Sequence, residues 1–102
     1  MYGNKIVDVS GLSLPGGLKH LELQGNQIVD VSGLTLPERL EMLSLGDNQI
    51  VDVSCITKKS CPNLALLDLS RNFISQAEVD RIGEELVGCR VIADDLLPAP
   101  DL

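Results

Sequence analysis

Four asparagines, Asn4, Asn26, Asn48 and Asn72, stand 22, 22 and 24 residues apart. A primary amide donates twice and accepts, so a row of four either grips a repeating polar ligand or ties neighbouring backbone segments together. Two carboxylates, Glu22 and Asp68, fall in the same alignment with Ser44 between them and are the candidates for acid–base work. His20, Cys55 and Cys61 are the residue types that bind zinc. Which chemistry is open to them depends on the elements that carry them.

Apolar residues travel with the asparagines. Leu18, Leu21, Leu23, Asn26 and Ile28 recur as Leu40, Leu43, Leu45, Asn48 and Ile50, then as Leu64, Leu67, Leu69, Asn72 and Ile74. The two leucines of each Leu-x-Leu face the same side of a strand. After the asparagine the apolar spacing becomes three, as in Ile28, Val31, Leu34 and in Ile50, Val53, Ile56, which predicts a 3₁₀ turn. One such unit cannot bury both its leucine row and its isoleucine row, whereas stacked units make a continuous core. Pro15 and Pro37 each precede the first leucine of a unit by three residues, where the chain must turn back.

Written generally the pattern is L-x-x-L-x-L-x-x-N-x-I, the leucine-rich-repeat signature. Residues 3–92 resemble intracellular leucine-rich-repeat proteins of the 22-residue class, such as the regulatory subunit of protein phosphatase 1. The resemblance implies an α/β solenoid with a short curved parallel sheet on the concave side, 3₁₀ or irregular turns on the convex side, and a C-terminal capping helix. It also implies that Asn4, Asn26, Asn48 and Asn72 form a structural ladder, bonded to the backbone of their own and the adjacent turn, since buried polar groups need partners. Asp30 and Ser32 are expected to hydrogen-bond locally.

The ends depart from the period. "TKKSCPN" before Leu64 is two residues longer than "TLPER" before Leu40, and Cys55 stands where Gly11 and Gly33 stand in earlier units. From Ser75, with Glu78 at capping-box spacing, a helix is predicted with Val79, Ile82, Leu86 and Val87 on its buried stripe. Arg81, Glu84 and Glu85 lie outside that stripe, Gly88 ends the helix, and Val91–Ile92 form a last strand. The expected organisation is a repeat array over 1–92, with its cap at 75–92, and an acidic proline-containing tail at 93–102 whose Leu96 and Leu97 are placed to cover the last edge. At the other end the sequence enters mid-repeat at "YGN". An unpaired edge near Leu21 and open apolar rows are expected there, and with them self-association, docking of a partner, or continuation into a longer array.

Charge and composition narrow the function. With net charge −7, pI near 4.4 and 2 % aromatics, the chain has neither the basic groove nor the stacking rings of a nucleic-acid binder, and is poorly suited to an anionic membrane. No apolar run approaches a membrane span. Three cysteines without a Cys-x-x-Cys pair suggest reduced thiols and a cytoplasmic or nuclear setting. No cofactor is implied, and a zinc site from His20, Cys55 and Cys61 needs ligands from opposite sides of the solenoid. Glu22 and Asp68 are two strands apart, about 9–10 Å, on a face too shallow to exclude water. There is one histidine, no phosphate loop and no G-x-S-x-G, so no catalysis is expected.

What remains is protein binding. Residues alternating with the core leucines form columns: His20, Met42, Leu66; Glu22, Ser44, Asp68; Gln24, Gly46, Ser70; Gly25, Asp47, Arg71; and Gln27, Gln49, Phe73. The scaffold positions repeat and these do not. His20, Glu22, Gln24, Met42, Ser44, Asp47, Leu66, Asp68, Arg71 and Phe73 are therefore the candidate partner-binding residues. Met42 and Leu66 would form an apolar pair, and Phe73 either packs on the capping helix or anchors a partner. Four strands give a face about 19 Å wide, hence roughly 200–300 Å², against about 800 Å² per partner in a specific interface. The expected function is a non-catalytic interaction module using the concave face and adjoining loops. The alternative is a structural subunit or truncated segment whose interface is the N-terminal end.

Overall fold

The computed structural model describes residues 14–31, 36–54, 56–57, 59 and 61–97. Asn4, Ser32, Leu34, Cys55 and the end of the tail, 98–102, lie outside the described residues. Four three-residue strands, β1 (His20–Glu22), β2 (Met42–Ser44), β3 (Leu66–Asp68) and β4 (Arg90–Ile92), form one parallel sheet in sequence order. A helix, α1 (Gln76–Glu85), lies between β3 and β4. The register pairs Leu21, Leu43, Leu67 and Val91 across the sheet. The repeat dictates this: each Leu-x-Leu turns its leucines to one side, and only a neighbouring unit covers them.

The core is aliphatic. Leu23, Leu45 and Leu69 from the strand ends meet Ile28, Ile50 and Ile74 from the turns, and all six are buried. The turn into each strand is closed by one i→i+3 bond. Leu18 N–H donates to Pro15 O at 3.1 Å, Leu40 N–H to Pro37 O at 3.1 Å, and Leu64 N–H to Cys61 O at 3.2 Å. Cys61 thus takes the proline's place in the third unit. The two extra residues before it are absorbed by a single wider turn, in which Cys61 N–H and Sγ both reach Thr57 O at 3.1 Å.

Three expectations are corrected. First, the expected 3₁₀ turn is limited to a single i→i+3 bond, and no 3₁₀ helix occurs among the described residues. The chain after each asparagine stays extended enough for Asp30 and Asp52 to form a parallel bridge, and the spacing of three is met by one bend, with Ile56 N–H on Val53 O at 2.9 Å. Second, α1 stops before Gly88. Leu86 is the C-cap (φ −98°, ψ 64°), so Leu86 stays buried while Val87 turns outward and is 74 % exposed. Gly88 does adopt a left-handed φ of 88°, but it serves the link into β4 rather than the helix end. Arg81 is also not an outer residue. It is half-buried, paired with Glu78 at 2.8 Å, and donates to Val53 O at 3.3 Å, which ties the helix to the preceding coil. Third, the apolar rows nearest the N-terminus are closed. Leu21 is 6 % exposed and Leu23 and Ile28 are 0 %, with Leu14 and Leu18 packed against them.

The helix start agrees with its sequence signal, because Ser75 Oγ accepts from Glu78 N–H at 3.2 Å. After Ile92 the backbone keeps following the third coil. Asp94 N–H donates to Ser70 Oγ, Arg71 N–H to Asp94 O, and Leu97 N–H to Asn72 O. Leu96 is half-buried and Leu97 is 43 % exposed.

Candidate functional site

The face of the sheet opposite the core carries the non-repeating residues. Parallel register brings His20, Met42, Leu66 and Arg90 into one row, and Glu22, Ser44, Asp68 and Ile92 into the next. Met42, Leu66 and Ile92 are partly exposed, between exposed His20, Glu22 and Arg90. The rows continue beyond the strands. Gly25 N–H donates to Gly46 O, Asp47 N–H to Ser70 O and Arg71 N–H to Asp94 O, so Gly46, Ser70 and Asp94 are in register.

The next position is left-handed in each coil among the described residues, with φ of 74° at Gly25, 59° at Asp47, 59° at Arg71 and 52° at Asp95. This conformation turns the chain off the sheet and holds the side chains of Asp47 and Arg71 outward, where they approach within 3.9 Å and are both largely exposed. Such an exposed pair contributes little stability. Phe73 is half-buried, in one row with exposed Gln49.

Directly behind this row sit the asparagines. Asn48 Nδ2 donates to Leu23 O at 3.0 Å, Leu45 O at 3.0 Å and Gly46 O at 3.2 Å, while its Oδ1 accepts from Ile28 N–H at 3.1 Å. Asn72 repeats the arrangement on Leu45 O, Leu69 O, Ser70 O and Ile50 N–H. Asn26 donates to Leu23 O at 2.8 Å. All three are buried. With their amide donors fully engaged by backbone and their side chains buried, Asn48 and Asn72 are out of reach of a ligand.

The carboxylates do not form a catalytic pair. Glu22 and Asp68 are separated by the β2 strand, with Ser44 between them. Asp68 Oδ1 is held by Ser70 N–H at 3.0 Å, and its carboxylate leans over Gly46, where an added Cβ would stand 3.4 Å from Oδ2. No group of three His, Cys, Asp or Glu residues suited to a metal occurs among the described residues. On the flank, Asp52 carries a carboxyl with a displaced pKa. Hydrogen bonds from the backbone N–H and side chain of Ser54 hold it below the usual carboxylate range.

The candidate residues thus separate into a compact set on the open face (His20, Glu22, Met42, Ser44, Leu66 and Asp68) and an edge set (Gln24, Asp47, Arg71 and Phe73). Sequence reasoning missed the fourth members of the rows, Arg90, Ile92 and Asp94, because "RVIADD" lacks the leucine signature. Aligning it with "LLDLSR" would have found them. It also missed Val29 and Val51, which are 44 % and 45 % exposed in one register on the flank. The available signal was the core spacing itself, since Ile28 and Val31 inside leave Val29 outside.

Comparison with known proteins agrees with this architecture. Residues 38–80 match the family model described as leucine-rich repeats in two copies. No curated protein matches the chain. Among solved structures, the chain is similar to an internalin from Listeria monocytogenes, with a TM-score of 0.61 and 22 % identity over 98 % of this chain. The chain spans about a third of that protein, 35 % of its length. The fold is a leucine-rich-repeat solenoid.

Proposed function

We infer that this leucine-rich-repeat solenoid is a non-catalytic protein-binding module that engages its partner through the open face of the sheet. The observation that carries this reading is the row containing Met42 and Leu66. Two apolar side chains are in register on adjacent strands and partly exposed, in a sheet whose opposite face already supplies the whole core. Neighbouring strands stand about 4.8 Å apart, so the two make one apolar step. Ionic and polar side chains border it, which is the make-up of an interface with an apolar centre and a polar rim. The face is small, and adjoining residues Asp47, Arg71 and Phe73 extend it toward the loops.

The buried state of Leu21, Leu23 and Ile28 favours the open face over the N-terminal end as the interface. The 22-residue pitch supports placing the chain with the intracellular 22-residue class. The odd count of three cysteines, with no Cys-x-x-Cys pair, supports a reducing, cytoplasmic or nuclear setting.

The test is comparative capture. A partner retained by the parent chain is to be lost with Leu66→Arg and kept with Glu84→Arg, which alters an exposed helix residue. Equal retention by both variants would exclude the open face.

A further inference from the structure

We propose that the partner element seated on this face is an amphipathic α-helix lying across the strands, with an apolar stripe flanked on one side by lysine or arginine. This rests on the protein-binding role of the open face and specifies its ligand. The first ground is charge. At the C-terminal ends of the strands stand Glu22, Asp47, Asp68, Asp94 and Asp95, against a single guanidinium, Arg71. Arg71 is paired with Asp47. Among the described residues no cation pairs with Glu22, Asp68, Asp94 or Asp95. Gln24 adds an acceptor in want of a donor: its Oε1 is enclosed and unpartnered, so the side chain gains a hydrogen bond by turning toward an incoming N–H. The apolar row of Met42 and Leu66 lies two residues back along each strand, about 6.6 Å from the acidic row. A ligand must therefore present an apolar line and a basic line side by side.

The second ground is pitch. Rows on this face repeat every ~4.8 Å from strand to strand. Successive turns of an α-helix repeat every ~5.4 Å, so residues at i, i+4 and i+7 drift from the rows by only about 0.6 Å per strand. Like-facing residues of an extended segment repeat every ~6.6 Å and slip by nearly 2 Å per strand. Over four strands, side-chain flexibility absorbs the first mismatch and not the second.

The experiment uses the full chain and fluorescence anisotropy with a labelled peptide built from leucine and lysine at helical spacing. Two further probes are the same peptide with glutamate for lysine, and a leucine–lysine peptide with strict alternation. The chain is compared with two double variants of equal charge change, Glu22→Lys with Asp68→Lys on the face and Glu84→Lys with Glu85→Lys on α1, and with Leu66→Lys. Expected is binding of the helical basic peptide that weakens by about tenfold or more with the face variants and by less than about twofold with the helix variant. Circular dichroism of each variant confirms that it is folded. Equal weakening by both doubles would reduce the binding to overall charge and overturn the proposal. Tighter binding of the alternating peptide would overturn the helical ligand. Tighter binding of the glutamate peptide, lost in Leu66→Lys, would overturn the basic chemistry while leaving the face as the interface. Indifference of every probe to every face variant would remove both readings.

Discussion

Asn48, in the turn after β2, engages Leu23 O, Leu45 O, Gly46 O and Ile28 N–H, and so ties its own coil to the one before. After β4 the register offset of 24 residues places Leu96 where Asn72 stands in the coil before, and a leucine can make none of these bonds. The backbone keeps the same course up to a left-handed residue before each position, Asp47 in one and Asp95 in the other, and then departs from it: Leu97 N–H bonds Asn72 O, where Phe73 N–H bonds Ile50 O. The left-handed bend therefore does not depend on the amide, whereas the register after it is kept only where the amide is present. What the amide adds is satisfaction of the neighbouring coil's polar backbone. Ile28 N–H and Ile50 N–H each find an asparagine Oδ1, whereas Ile74 N–H meets no acceptor among the described residues.

The last coil, lacking that tie, is held by apolar contacts and by α1. Leu86→Asp places a charge where the side chain is 1 % exposed, and the expected loss is about 4 kcal/mol or more in chemical denaturation, enough to release the last coil. Glu85→Lys, on the exposed side, should stay within about 0.5 kcal/mol. Equal effects would mean that α1 does not anchor the coil.

Exchanging the two residues sharpens the contrast. Asn48→Leu strands Ile28 N–H in the core and should cost about 2–4 kcal/mol. Leu96→Asn offers an acceptor to Ile74 N–H and should gain about 0.5–1.5 kcal/mol, with slower hydrogen exchange at that amide. A destabilising Leu96→Asn would show that the last coil's packing, not its missing amide, sets its stability.

The left-handed column gives a smaller effect. Arg71 holds φ 59° where Gly25 holds the same region freely. Arg71→Gly relieves backbone strain of about 1–2 kcal/mol and loses part of it to the greater freedom of unfolded glycine, for a net gain of about 0.5–1 kcal/mol. Asp47→Gly should gain less, because aspartate tolerates this conformation better than arginine. Thermal melts of the two variants measure the difference.

Smallest is the pH response of the flank. Asp52 is held below the ordinary carboxylate range by the Ser54 backbone N–H and side chain. The folded state therefore favours its ionised form. Its contribution is present above the unfolded value of about 3.9 and is lost as pH falls through the lower folded value. Asp52→Asn should lower stability slightly at neutral pH, converge with the parent in acid, and so flatten the acid limb of the stability profile. The side chain is exposed, so the effect is small and weakens with salt.

The core was legible because it repeats. Leu43 and Asn48 recur at fixed offsets, and a recurring apolar residue beside a recurring amide has few uses other than stacking. Register followed at once, and with it the rows His20–Met42–Leu66 and Glu22–Ser44–Asp68. Repetition was also the limit. Where the signature lapses, at Arg90–Leu97, the sequence reads as strand and loose tail, yet the backbone continues the coil. The hydrogen bonds that guide it there come from Ser70, Arg71 and Asn72 in the preceding unit. Val87 was misplaced for a related reason. Helical periodicity does not reveal where a chain must leave a helix to meet a strand edge, and Leu86 is the residue that turns.

The sheet joins coils strictly in sequence order, and each tie in the ladder spans one unit. Under tension applied at the two ends, the described residues hold no long-range clasp to break first. It should come apart one coil at a time, each event releasing a similar length of slack. A coil of 22 residues frees about 75 Å of extended backbone, so a force–extension record should show short, evenly spaced steps. The first step should come from the coil that carries Leu96, and the later, stronger ones from the coils stitched by Asn72 and Asn48.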